Sequence, residues 1–452
     1  MVTEQVQQEP ITDLERVSEI LYQGDLDELT GLLDEMHPAE IAHVLESLPA
    51  SDRELIWPYV PAEAEGEVLL HLSDEVRASL MNKMAPEELV AATETLDTDD
   101  LADLVPELPK DVTDELLRSM ELQDRQRLES VLSFPEDTAG GLMDLDTVVV
   151  RADITLDVVL RYLRLRGELP ETTDHLFVTD RDGHYLGLLP LTEIVTNDPE
   201  VMVQEVMRRD VDGIPADLPA TEVAALFERR DLVTAPVVDD TGRLLGRITI
   251  DDVVDVIRDE ADHSLLATAG LSEEDDMFAP AAVSARRRTP WLGVNLLTAL
   301  LASWVIGLFQ PTLERVVALA ILMPIVASMG GIAGSQTLTL VIRGLALGRL
   351  ADRNMRQLVV KETAVGVLNG VFWAVVIAAI AGVWFGDYRI SVIIAMAIVI
   401  NLAVAAVSGA VIPLLLRRLG VDPALAGSVV LTTITDVVGF LAFLGLATLY
   451  LL

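Results

Sequence analysis

The sequence predicts a multidomain protein in which an α-helical repeat (solenoid) domain and an α+β tandem repeat precede an α-helical membrane domain with five transmembrane helices. Three observations predict this architecture. Short amphipathic segments run from about Leu14 to Leu132, one pattern occurs twice between residues 135 and 250, and five charge-poor segments follow residue 285.

Charge divides the chain into two unlike halves. Of the 72 acidic and 32 basic residues, six acidic and 12 basic ones follow residue 285, so residues 1–285 carry 66 acidic and 20 basic side chains. A region this acidic disfavours nucleic acid and anionic lipid as partners and favours cations. The same acidity also fits a cytoplasm with high salt, where a dense carboxylate surface is simply solvated. The absence of cysteine excludes disulfides and thiolate metal sites.

An acidic domain of helical repeats is predicted for residues 1–134. Segments such as HPAEIAHVLESLP and APEELVAATETL have Pro near their start and apolar residues at three-and-four spacing, which indicates short amphipathic helices. Such arrays provide binding surfaces rather than chemistry. FPEDTAGGLM, which begins at Phe134, breaks the rhythm with Pro and paired glycines, and a domain boundary is predicted there.

Two copies of one pattern follow, predicted as residues 135–200 and 201–250. LFVTDRDGHYLGLLPLTEIV and APVVDDTGRLLGRITIDDVV each predict a strand, an acidic glycine turn, a second strand and a helix start. Asp180 and Asp239 occupy the same place in the two copies, 59 residues apart. The tandem resembles a CBS-domain pair, a module that usually senses a ligand or ion, and the sequence leaves open whether it binds ATP. His184, in the first turn, is interpreted as an exposed loop residue.

An acidic connecting helix and linker are predicted for residues 251–285. Acidic side chains recur there at spacings of three and four, and like charges at those spacings destabilise an isolated helix. DTDDLADL in the helical domain contains a comparable group. Carboxylates without His or Cys suit hard divalent ions such as Mg²⁺, and a solvated acidic face is the alternative. The predicted regulatory metal residues are Asp99, Asp100, Asp103, Asp252, Asp255, Asp259 and Glu260.

The five charge-poor segments, within residues 286–452, are each long enough to cross a hydrocarbon core of about 30 Å as a helix. Ten basic residues flank them on one side of the predicted membrane and two, Arg315 and Arg389, on the other. The richer side is the cytosolic one, so we expect a multi-pass plasma-membrane protein with a cytosolic amino terminus and an extracytosolic carboxyl terminus. The start of the chain has no apolar core like that of a secretory signal. The predicted spans are 289–313, 316–342, 363–386, 390–416 and 424–452.

The last span carries one charge, Asp436, near its middle. A carboxylate at that depth costs about 2.5 to 3.5 kcal/mol even on lenient insertion scales, so it is expected where water, an ion or a partner charge meets it. Ser428, Thr432, Asp436 and Gly439 share one helix face, which is therefore predicted to border a polar path. A protonated carboxyl that bonds a neighbouring helix is the alternative.

The second span contains Pro324, several glycines, Ser335 and Gln336 at mid-membrane. This composition predicts a broken helix that faces Asp436, because irregular backbone at that depth requires surrounding protein or a water-filled path. Single amides in three other spans are interpreted as contacts between helices; they are Asn295, Asn369 and Asn401. The predicted pore-lining residues are Gly330, Gly331, Gly334, Ser335, Gln336, Thr432 and Thr435.

The order of these parts resembles the MgtE family of magnesium channels along nearly the whole chain. The most specific segments are PIVASMGGIAGSQTLTLVIRGLALG, VDPALAG and TTITDVVGF. The resemblance implies a homodimer in the lipid bilayer that conducts Mg²⁺ along the subunit interface and closes when cytosolic Mg²⁺ is plentiful. It also implies that Asp436 is the pore carboxylate that holds a hydrated Mg²⁺, and that Asp422 is a metal ligand near the cytosolic mouth.

One departure from the family pattern concerns selectivity. The family usually shows GGNxGNQ, whereas this chain has Ile332 and Ser335 in place of the two asparagines. If those amides hold ordered water around the ion, their loss leaves the preference among Mg²⁺, Co²⁺, Ca²⁺, Mn²⁺ and Zn²⁺ open.

Charge repulsion suggests the gating hypothesis. When cytosolic Mg²⁺ is low, the acidic groups of the helical domain and the connecting helix repel and the pore opens; when it is high, ions bridge the acids and the pore closes. Two other classes remain open: an Mg²⁺ exchanger coupled to Na⁺ or H⁺, and a non-conducting sensor whose CBS pair binds nucleotide. An enzyme is not expected, since no nucleophile with its base and no phosphate loop is present.

Overall fold

The computed structural model describes residues 13–93, 96, 98–120, 122–170, 172–272, 276–346, 350 and 352–451. The chain divides into two compact units. The first ends at Ala261 and takes up the chain again over Glu273–Ala279; the second comprises Asp262–Ser272 and Pro280–Leu452. The chain therefore returns to the first unit just before the first membrane helix begins.

Short helices form the first part of unit 1, as the repeat pattern predicts, and the described residues contain ten of them. Local signals start them: the Asp25 side chain accepts from the Glu28 N–H at the start of α2, and His37 and Glu40 form a capping box at α3. Each helix buries an apolar stripe in one shared core. The helices are α1 (Asp13–Gln23), α2 (Leu26–Glu35), α3 (Pro38–Glu46), α4 (Ala50–Ile56), α5 (Glu65–Leu70), α6 (Asp74–Met81), α7 (Pro86–Thr93), α8 (Thr98–Leu104), α9 (Lys110–Ser119) and α10 (Leu122–Val131).

Two three-stranded sheets confirm the tandem repeat. In each, the first strand runs parallel to the second, and the second pairs with the third in antiparallel fashion. The hairpin turns place Gly183 and Gly242 at φ of +87° and +84°, a conformation that favours glycine. The strands are β1 (Val149–Arg151), β2 (His175–Thr179), β3 (Tyr185–Pro190), β4 (Ile214–Pro215), β5 (Thr234–Val238) and β6 (Leu244–Thr249). The helices among them are α11 (Leu156–Arg166), α12 (Leu191–Thr196), α13 (Val203–Val206) and α14 (Ala220–Arg230).

A buried ion pair fixes the returning segment onto the helical repeat domain. The connecting helix α15 spans Ile250–Ala267, and the chain then comes back to place Asp276 against Arg53 of α4. Two guanidinium nitrogens of Arg53 donate to the Asp276 carboxylate at 2.7 and 2.8 Å, and Arg53 Nε donates to the Leu45 carbonyl at 2.7 Å. The Asp276 backbone N–H donates to Glu75 at 2.7 Å. The two side chains of the pair are 3% and 7% exposed, so this contact is shielded from solvent.

Five helices of unit 2 are long and apolar enough to cross a membrane, which confirms the predicted number of spans. Of these, α20 is the most buried and α16 the most exposed. A short helix, α17 (Gln310–Arg315), connects the first two. The five helices are α16 (Ala281–Gly307), α18 (Ala318–Ala346), α19 (Asp352–Phe385), α20 (Tyr388–Arg418) and α21 (Pro423–Leu451).

The predicted break in the second span is wrong, because α18 runs as one continuous helix with Pro324 inside it. Two of its glycines, Gly330 and Gly334, serve close packing instead. A Cβ added at Gly334 would lie 2.9 Å from the Leu431 side chain, and one at Gly409 of α20 would lie 2.6 Å from the Gly334 carbonyl oxygen. Small residues let membrane helices approach closely, and that is their role here.

Among the three amides, Asn401 makes a contact between helices. It is fully buried, and its Nδ2 donates to the Val326 carbonyl of α18 at 2.8 Å. Asn295 and Asn369 lie exposed on the surface of the chain. Within one described chain, the interpretation therefore holds for Asn401.

Candidate functional site

A groove of about 750 Å³ lies between α18 and α21. Its α18 wall carries residues at helical spacing, and α21 contributes one turn from Thr432 to Asp436. Apart from Asp436, its polar groups are neutral hydroxyls, one side-chain amide and backbone, and no basic side chain lines it. The lining residues are Ala327, Ser328, Gly331, Ile332, Ser335, Gln336, Thr339, Thr432 and Asp436.

Asp436 is half-buried in this groove, and its carboxylate has no hydrogen-bond or ion-pair partner among the described residues. Thr432, one turn earlier, directs its hydroxyl to the Ser428 carbonyl at 2.8 Å. An unpaired carboxylate between apolar helices is costly, and a cation beside it offsets the cost. The arrangement can therefore attract a cation and surround it with water and neutral oxygen atoms.

The structure separates the predicted lining residues into two sets. Gly331, Ser335, Gln336 and Thr432 line the groove together with Asp436. Three others pack between helices instead: Gly330 against Asn401, Gly334 against Leu431, and Thr435, which is fully buried and donates to the Thr432 carbonyl at 3.0 Å. The prediction grouped them with the groove because sequence composition does not show which way a helix face turns.

Asp422, predicted as a ligand at the cytosolic mouth, caps the last helix. Its carboxylate oxygens accept from the N–H groups of Ala424 at 2.8 Å and Leu425 at 3.1 Å, and Pro423 begins α21. This is the usual chemistry of a helix amino terminus. His263 Nε2 lies 3.3 Å from the same carboxylate, a neighbour that sequence spacing does not predict.

Asp252 lies at the start of the connecting helix, where burial affects its carboxyl group. Its carboxylate accepts from the Thr249 N–H at 3.2 Å and the Thr249 hydroxyl at 2.9 Å, which starts α15. Burial raises its pKa to about 7; the charges of Asp251 and of Asp100 on α8 also raise it, whereas the Thr249 hydrogen bonds lower it. Asp100 of the helical domain and Asp252 of the connecting helix are thus close enough for their charges to interact, and metal binding by the predicted acids stays a prediction.

The remaining predicted regulatory acids differ from Asp252. Asp255 and Asp259 are exposed and lie 3.4 and 3.5 Å from the guanidinium of Arg258, which offsets part of their repulsion. Glu260 is exposed as well. The side chains of Asp99 and Asp103 lie outside the described part of the chain.

Comparisons with known proteins follow the same division into parts. Over 440 residues the chain is 36% identical to a magnesium transporter MgtE of Thermus thermophilus, covering 96% of this chain and 98% of the relative. It is 29% identical over 436 residues to a magnesium transporter MgtE of Bacillus subtilis, covering 96% and 97% of the two chains. The chain belongs to the MgtE family.

Family models divide this MgtE-family chain into parts. The model for the MgtE intracellular N domain matches residues 36–137, the CBS model matches residues 139–200 and 203–259, and the MgtE divalent cation transporter model matches residues 323–446. A solved structure of the cytosolic domain of the Mg²⁺ channel MgtE in complex with ATP is 34% identical, covers 54% of this chain and 99% of its own, and superposes with a TM-score of 0.49. The five apolar helices and the family together make this a multi-pass membrane protein.

This chain departs from the MgtE-family sequence pattern at two positions, and both positions line the groove. Ile332, exposed by 58%, and Ser335 line it where the family usually carries asparagines. The Ser335 hydroxyl donates to the Gly331 carbonyl at 2.9 Å within its own helix. The groove therefore has fewer amide groups to bind ordered water than the family pattern would provide.

One small cluster lies in the CBS pair. Ligand atoms of Asp180, Asp182 and His184 lie within 4.8 Å of one another. Hydrogen bonds, led by the one from the His184 backbone N–H, lower the pKa of Asp180. Asp239 makes the same turn in the second copy, with Arg243 where the first copy has His184. The turn explains this geometry without a metal, and His184 is part-exposed, as expected for a loop residue.

Proposed function

We propose that this protein carries divalent cations, Mg²⁺ foremost, across the plasma membrane along the groove between α18 and α21. The observation that carries the proposal is the Asp436 carboxylate, which is unpaired among the described residues and lies with several neutral polar side chains in a groove between apolar helices. A membrane anchor alone would gain nothing from such a group.

The groove chemistry suits a hydrated ion. Mg²⁺ gives up its water reluctantly and is usually bound through one or two carboxylates. The Asp436 carboxylate on α21 supplies the negative charge. The side chains of Ser328, Gln336 and Thr339 on α18 line the same groove and supply oxygen atoms that can bind the water around the ion. The ion is thus the transported substrate, held weakly enough to leave.

We infer that a second copy of the chain completes the path. The groove is bordered by two helices of one chain, and Ile332 and Thr432 on its rim are exposed. Exposure of Asp436 to acyl chains would be costly, and a facing copy removes that exposure. The excess of basic residues in the flanks supports a cytosolic amino terminus.

Gating is proposed to follow cation binding between the helical repeat domain and α15. Burial is the largest cause of the raised pKa of Asp252, and the charges of Asp251 and Asp100 add to it, which supports a repulsion that a bound cation would relieve. Asp255 and Asp259, which share Arg258, contribute less. Neutralising Asp252, Asp255 and Asp259 together should lower the protection that cytosolic Mg²⁺ gives this region against protease, and unchanged protection would refute this gating.

Transport is tested by reconstituting the full chain in liposomes that contain an Mg²⁺ indicator. Asp436→Asn keeps the side-chain shape and removes the charge, and it should lower uptake by about tenfold or more, because Asp436 carries the charge among the described residues that line the groove. Asp387→Asn, at the amino terminus of α20, is the matched control, since Asn also caps helices. Full uptake by Asp436→Asn would refute the ion path.

The same liposomes separate the coupled alternatives from a channel. A channel predicts uptake that depends on voltage and on the Mg²⁺ gradient alone. Strong dependence on a proton or sodium gradient at constant voltage would identify an exchanger. Nucleotide binding by the CBS pair is a separate prediction, which calorimetry of the full chain with ATP would test.

A further inference from the structure

Asn401 lies in the middle of α20, outside the groove, at a point where three helices meet. It is fully buried, and its Nδ2 donates to the Val326 carbonyl of α18 at 2.8 Å. Its Oδ1 has no hydrogen-bond partner among the described residues. A buried amide that is half satisfied costs stability, so its presence needs an explanation beyond packing.

Two glycines make room for this amide. A Cβ at Gly330 of α18 would lie 2.2 Å from Asn401 Nδ2, and a Cβ at Gly439 of α21 would lie 2.8 Å from the same atom. Neither helix could hold its present position with any larger residue at these sites unless Asn401 moved. The amide thus acts as a spacer between the backbones of α18 and α21.

The glycines stand directly beside the two walls of the groove. Gly330 precedes Gly331, which lines the α18 wall, and Gly439 lies three residues, or about one helical turn, after Asp436 on α21. A shift of either helix against Asn401 therefore changes the distance between Asp436 and the oxygen atoms that face it.

We propose that Asn401 is a positioning residue of the ion path, which sets the separation of α18 and α21 and so the place of the Asp436 carboxylate. The proposal rests on the proposed function, since it assigns Asn401 a role only if the ion passes Asp436. It goes beyond the contact between helices, because it predicts an effect on ion affinity and not on folding alone.

The test measures initial Mg²⁺ uptake against external Mg²⁺ for the reconstituted full chain. Asn401→Ala removes atoms and one hydrogen bond, a modest loss in a membrane. We expect it to fold and to raise the half-saturating Mg²⁺ concentration by about tenfold, the scale on which misplacing a group by a fraction of an ångström acts. A merely structural Asn401 would reduce the amount of folded protein and leave the half-saturating concentration unchanged.

A rescue pair sharpens the test. Gly439→Ala should collide with Asn401 and lower uptake, and Asn401→Ala in the same chain should restore uptake to the level of Asn401→Ala alone by freeing the space. Gly445→Ala is the matched control on α21, because its added Cβ would be 4.0 Å from the nearest side-chain atom, on Phe309. We expect this control to behave as wild type.

The outcomes are distinct. Two results would overturn the positioning role. One is a loss of uptake in Gly439→Ala that adding Asn401→Ala does not reverse. The other is an unchanged half-saturating Mg²⁺ concentration in Asn401→Ala alone. Should Gly439→Ala fail to fold, the Asn401→Ala titration decides alone. If Asp436→Asn transports as wild type, the proposed function itself fails; if it is inactive while Asn401→Ala titrates as wild type, only the positioning role fails.

Discussion

The ion pair between Arg53 and Asp276 gives a prediction whose size follows from its geometry. Both side chains are almost completely buried, and two hydrogen bonds of 2.7 and 2.8 Å join them. Asp276→Asn leaves the guanidinium without a counter-charge, and breaking a buried pair on one side costs about 3 to 5 kcal/mol. The segment that precedes α16 should then detach from the helical repeat domain about 150 to 5,000 times more often, because 1.36 kcal/mol corresponds to a factor of ten.

Limited proteolysis measures how often this segment detaches. Chymotrypsin cleaves after aromatic residues, and Phe278 lies in the segment that the pair holds, exposed by 39%. When opening and closing are faster than cleavage, the cleavage rate follows the open population, so it should rise by about two to four orders of magnitude in Asp276→Asn. The measurement uses the full chain in detergent, with cleavage products identified by mass spectrometry.

Two further variants test whether the loss of the buried ion pair causes the faster cleavage. Glu54→Gln removes an exposed ion pair with Lys83, next in sequence to Arg53, and should change the rate little because exposed pairs contribute about 0 to 1 kcal/mol. Arg53→Met combined with Asp276→Leu replaces the buried pair by apolar side chains and should approach the wild-type rate. Equal cleavage in Asp276→Asn and Glu54→Gln would refute the reasoning.

Three other predictions concern the acids and the groove. The folded-state pKa of Asp252, about 7, exceeds its ordinary value of 3.8, so its stabilising contribution is present below about pH 4 and is lost as pH rises to about 7. In thermal unfolding with a chelator present, the melting temperature should therefore fall less between pH 5 and 8 in Asp252→Asn than in wild type. An equal fall of the melting temperature with pH in both proteins would contradict this. Ile332→Asn combined with Ser335→Asn should raise the preference for Mg²⁺ over Ca²⁺ in uptake by about fivefold to tenfold, the effect of one or two hydrogen bonds; an unchanged ratio would show that these amides do not act on the ion. Because the chain has no cysteine, Ile332→Cys should form disulfide-linked dimers under mild oxidation, whereas Val383→Cys, exposed by 90% on α19, should not. Equal crosslinking would count against a second copy over the groove.

Sequence patterns predicted what depends on local composition. Length and hydropathy gave five spans, the repeated Asp and Gly of the two turns gave the paired sheets, and the isolated charge of Asp436 indicated the groove. The sequence predicts these features because each depends on residues that are close together in the chain. Thr432 and Asp436 share a face by spacing alone, and both line the groove.

What sequence did not predict depends on contacts between distant segments. Composition predicts a broken second span, yet α18 is continuous, and two of its glycines, Gly330 and Gly334, pack against Asn401 of α20 and Leu431 of α21. Thr435 is one residue from Asp436 but points between helices. The pairing of Arg53 with Asp276 joins residues 223 positions apart, and no local pattern marks it.

The most direct test of the ion path is to locate an ion in it. Crystals of the full chain grown with Mn²⁺ in place of Mg²⁺ give an anomalous signal at each bound ion. The account predicts a peak in the groove within about 5 Å of the Asp436 carboxylate, the reach of a carboxylate through one coordinated water. Peaks near Asp252 with none beside Asp436 would contradict it.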